Sequence, residues 1–92
     1  RREFPEFLGA VSHVGMLGRE GAVAALAERA DRLSTLVGED ERRLGRALAA
    51  GGVPRLFVIE AEYSLAMLRA ERDWVLSVVD EIKTGGLEWP TP

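Results

Sequence analysis

Apolar residues recur along this chain at helical rather than strand spacing. Between positions 19 and 50, Val23, Leu26, Ala30, Leu33, Val37, Leu44 and Ala47 follow steps of three and four, and only Asp40 interrupts them. Such an a/d seam, the mark of a coiled coil, predicts a long helix packed lengthwise on another helix. About 32 helical residues would span roughly 48 Å. Glu28 with Arg32 and Glu39 with Arg43 are spaced i,i+4 with the acid first, the favourable order for a surface pair. Gly38 and Gly45 each weaken a helix by about 1 kcal/mol relative to Ala, so a kink or short break is expected near Gly38.

The segment from 54 to 84 is apolar around more of its circumference. Leu56, Ile59, Tyr63, Ala66, Met67, Ala70, Trp74 and Val78 form one helical stripe, while Leu65, Leu68, Val75, Val79 and Ile82 form a second. Pro54 suits the first turn of a helix, where its missing N–H costs nothing. Lys83 followed by Gly85 is a helix stop. The run Leu56-Phe57-Val58-Ile59 is compatible with a strand, but Glu60 onward returns to a helical period with no turn signal between. A shorter segment, roughly 5–14, precedes Gly15 and Gly18 and reads as a short first helix. Gly51-Gly52-Val53-Pro54 separates the two long helices, and Trp89 is placed to pack its ring back on the domain.

The fold expected is therefore all-α: a short first helix followed by an antiparallel pair of long helices. Positions 1–92 make one domain. Two stripes on one helix need two neighbours, and the middle helix covers only one of them. Two long helices and a short one also make a thin core for an independent chain of 92 residues. The economical solution is a helical homodimer in which a second copy covers the remaining face. Leu56, Ile59, Tyr63, Met67, Ala70, Trp74 and Val78 are the expected dimer interface. Tyr63 and Trp74 share that face at a spacing of eleven, with Met67 between them. Amphipathic rings suit either an interface core or a pocket for a planar ligand, so Tyr63, Met67 and Trp74 are also the candidate contacts for a small aromatic effector.

Charge and composition narrow the chemistry. Twelve Lys+Arg against 15 Asp+Glu leave a net of -3, the wrong sign for a domain that holds nucleic acid by neutralising phosphates. Arg42, Arg43 and Arg46 are the densest basic group, but Glu39, Asp40 and Glu41 precede them and favour a solvated helix face. With no cysteine there is no disulfide scaffold, no usual zinc finger and no thiol nucleophile. His13 is the one histidine, and no Gly-x-Ser-x-Gly elbow surrounds Ser12, Ser34, Ser64 or Ser77, so no catalytic residue and no enzyme activity is expected. No Glu-x-x-His spacing offers a metal site, and no cofactor is implied. Glu60 and Glu62 lie two apart, on different helix faces, and read as surface ion-pair partners. Gly51-Gly52 lacks the Gly-Lys-Ser/Thr ending of a phosphate loop and reads as a turn. No apolar run reaches the roughly 18 residues that a membrane span needs, and no signal peptide opens the chain, which points to the cytoplasm.

Several stretches together carry a family resemblance. The opening Phe4-Pro5-Glu6-Phe7, the break Gly52-Val53-Pro54-Arg55-Leu56, the stretch Glu60-Ala61-Glu62-Tyr63 with Leu68, Glu71 and Trp74, and the closing Gly86-Leu87-Glu88-Trp89-Pro90 span nearly the whole chain. They resemble the C-terminal domain of PadR-like transcriptional regulators, the virulence-activator type. The resemblance implies a dimerisation domain, in some members also sensing a small aromatic effector. It implies a winged helix-turn-helix domain N-terminal to these residues as the part that binds operator DNA. Beginning at Arg1 rather than Met, the chain is expected to be a piece of such a regulator. The alternative is a free-standing helical module whose last helix docks on a different protein.

Overall fold

The computed structural model describes residues 18–89, and the expected first helix at 5–14, with His13, lies outside them. Among the described residues the chain is all-helical, with no strand. Helix α1 runs Arg19–Ala49, a 3-10 turn covers Arg55–Val58, and α2 follows directly over Ile59–Thr84. No helix among these residues is long and apolar enough to cross a membrane.

α1 begins after Gly18, whose carbonyl accepts the Ala22 N–H at 2.8 Å. It carries an acid, Glu20, in its first turn and a base, Arg46, in its last, both favourable to the helix dipole. The helix passes through Gly38 and Gly45 unbroken over 31 residues, so the break expected near Gly38 does not occur. The reason is tertiary: Leu33 and Val37, in the turn and a half before Gly38, are buried, and docking of the seam outweighs a loss of about 1 kcal/mol at one glycine. After Ala49, Gly51 and Gly52 both adopt φ 75°, a left-handed conformation that only glycine takes without strain, and lead into the next turn.

Pro54 opens the 3-10 turn rather than the α-helix. It is extended, with ψ 145°, and its carbonyl accepts the Phe57 N–H at 2.9 Å. The tight turn buries Val58 and leaves Leu56 and Phe57 outside. α2 stops as the sequence indicates. Gly85 takes φ 86° and donates to Ile82 O, and the Leu87 N–H reaches Glu81 O, satisfying two of the terminal carbonyls.

The core lies between the two helices. Leu26, Ala30 and Leu33 of α1 meet Val75, Val79 and Ile82 of α2, with Val23, Leu68, Val78 and Trp89 packed around them. Trp89 thus folds the tail back on the helices, as expected. The buried α2 residues all belong to the second stripe, and those of α1 follow the seam together with Ala22. Each fully buried Leu, Ile or Val contributes about 1.5–3 kcal/mol relative to an exposed position. Polar links join the helices at their margins. Arg19, at the start of α1, donates to Ile82 O at 2.8 Å and to Lys83 O at 3.1 Å, the last turn of α2. Arg29 pairs with Glu71, and Arg69 with Glu41 at 2.5 Å.

Candidate functional site

α1 uses up one face of α2, and the other remains apolar. Eight large aliphatic side chains are buried among the described residues, whereas eleven large apolar side chains are exposed. Isolated exposed apolar groups are ordinary, but a contiguous row of them is not. Six of the eleven, Leu56, Phe57, Ile59, Tyr63, Met67 and Trp74, continue from the 3-10 turn along α2.

The residues expected at an interface therefore fall on one surface. Leu56 is 71% exposed, Tyr63 66% and Trp74 48%; Ile59, Met67 and Ala70 are exposed beside them. Val78 differs. It is half-buried against the core and marks where the open stripe runs into the α1 contact. Phe57, 75% exposed, was not distinguished from its neighbours by periodicity, because the 3-10 turn sets its direction. Its signal was the Gly-Gly-Val-Pro preceding it, which makes a tight turn before the helix.

Polar groups at the two ends of the stripe make local hydrogen bonds. The Ser77 hydroxyl, one turn beyond Trp74, donates to Trp74 O at 2.7 Å. At the other end Arg55 grips the Glu62 carboxylate through Nε at 3.1 Å and Nη2 at 2.9 Å. The hydrogen bond from Arg55 holds the Glu62 carboxyl below its ordinary value, and the same bond raises Arg55. Of the two acids expected to pair on the surface, Glu62 does so, and Glu60 is exposed. Elsewhere Glu28 meets Arg32 at 3.8 Å as expected, but Arg43 takes Asp40, at i,i+3 and 2.6 Å, in place of Glu39.

Tyr63, Met67 and Trp74 share a side of α2, as an effector site would need, and they line an open helix face. No group of three or more His, Cys, Asp or Glu side chains able to hold a metal ion exists among the described residues. What this arrangement offers chemically is an exposed apolar surface with two amphipathic rings. Compared with family models, with curated proteins and with solved structures, the chain matches none.

Proposed function

We propose that this chain is the dimerisation domain of a PadR-like transcriptional regulator: an antiparallel helical hairpin that pairs with a second copy through Leu56, Ile59, Tyr63, Met67, Ala70 and Trp74. The observation that carries the reading is the open apolar stripe of α2, opposite a face already filled by α1. With more large apolar groups exposed than buried among the described residues, the hairpin gains most by burying the surplus, and a copy of itself is always at hand. The sequence resemblance supports the regulator: dimerisation would set the distance between two DNA-reading domains, each N-terminal to these residues. The acidic balance of the chain agrees with DNA contact lying in that other domain. Tyr63, Met67 and Trp74 would meet a planar effector where the two copies join. No catalysis is assigned to the domain, and its place is the cytoplasm, beside DNA.

The test is the coding sequence upstream of Arg1 together with the protein it encodes. A winged helix-turn-helix segment there, and a gel shift by the whole protein that residues 1–92 alone do not give, are the expected results. An upstream sequence without such a segment would overturn the regulator and leave a helical module that docks the same stripe on another protein.

A further inference from the structure

We draw no further inference here: the strongest candidate, the exposed apolar face that runs from Leu56 and Phe57 in the 3-10 turn along α2 to Trp74, belongs to the site already described, and nothing in the structure shows what covers it.

Discussion

The guanidinium of Arg29 on α1 donates to the carboxylate of Glu71 on α2, Nε to Oε2 at 2.7 Å, beside the core. The side chains are only 23% and 18% exposed, the least exposed of the charge pairs joining the two helices. Arg29 lies between Leu26 and Leu33 in sequence, and Glu71 between Leu68 and Val75, so the pair closes one margin of the apolar seam. A double-mutant cycle of Arg29→Met and Glu71→Gln should give a coupling of about 1 kcal/mol in urea unfolding, above that of a fully exposed pair. A coupling near zero would show that the pair is incidental to the packing.

Arg19 ties the first turn of α1 to the last turn of α2 through the carbonyls of Ile82 and Lys83. A cation at a helix C-terminus satisfies orphan carbonyls and meets the negative end of the dipole. Arg19→Met should lower stability by about 0.5–1 kcal/mol. Amide exchange should quicken in the last turn of α2 and leave the middle of the helix unchanged. Exchange that stays the same there would remove Arg19 from a capping role.

Two apolar residues of α2 that differ in burial should behave differently. Ile82 is 1% exposed, and Ile82→Ala should cost about 2–5 kcal/mol of folding stability. Trp74 lies on the open stripe, so Trp74→Ala should weaken self-association by about 2 kcal/mol or more, roughly a 30-fold rise in the dimer Kd, with helix content retained. Thermal melts followed by circular dichroism, at several concentrations, separate the two effects. A loss of folding after Trp74→Ala as large as that after Ile82→Ala would contradict the division into two faces.

The Arg55–Glu62 pair fixes a pH dependence. Its hydrogen bond lowers the folded-state value of the Glu62 carboxyl, so the pair's contribution is present above the ordinary carboxylate value and is lost as pH falls through the depressed one. Melting of the wild type and of Glu62→Gln should therefore differ near neutral pH and converge in acid. A difference that persisted below the depressed value would show that Glu62 acts through packing rather than charge.

Most of the helical architecture could be read from periodicity. The α1 seam from Leu26 to Val37 and the α2 stripe through Leu65, Val75, Val79 and Ile82 are buried because a three-four spacing places them on one side. The left-handed Gly85 after Lys83 was readable for the same local reason. Ala22 carried the seam spacing too, four before Leu26, and its small size concealed it. Contacts between elements were not readable. Nothing local in Arg19 or Arg29 names Ile82 or Glu71, which lie 63 and 42 residues away. Gly38 misled because helix propensity is a local quantity, whereas Leu33 and Val37 hold that turn by tertiary packing. At the candidate interface the spacing placed Tyr63, Met67 and Trp74 together, but Phe57 depended on a 3-10 turn that hydrophobic pattern does not encode.

The most direct test of the account is sedimentation equilibrium of this chain from about 1 to 100 μM, beside Met67→Glu, whose carboxylate would be stranded in the centre of the proposed interface. The account predicts twice the chain mass for the wild type within that range and a single chain mass for the variant, with helix content equal in both. A wild type that stays at single chain mass throughout would contradict it.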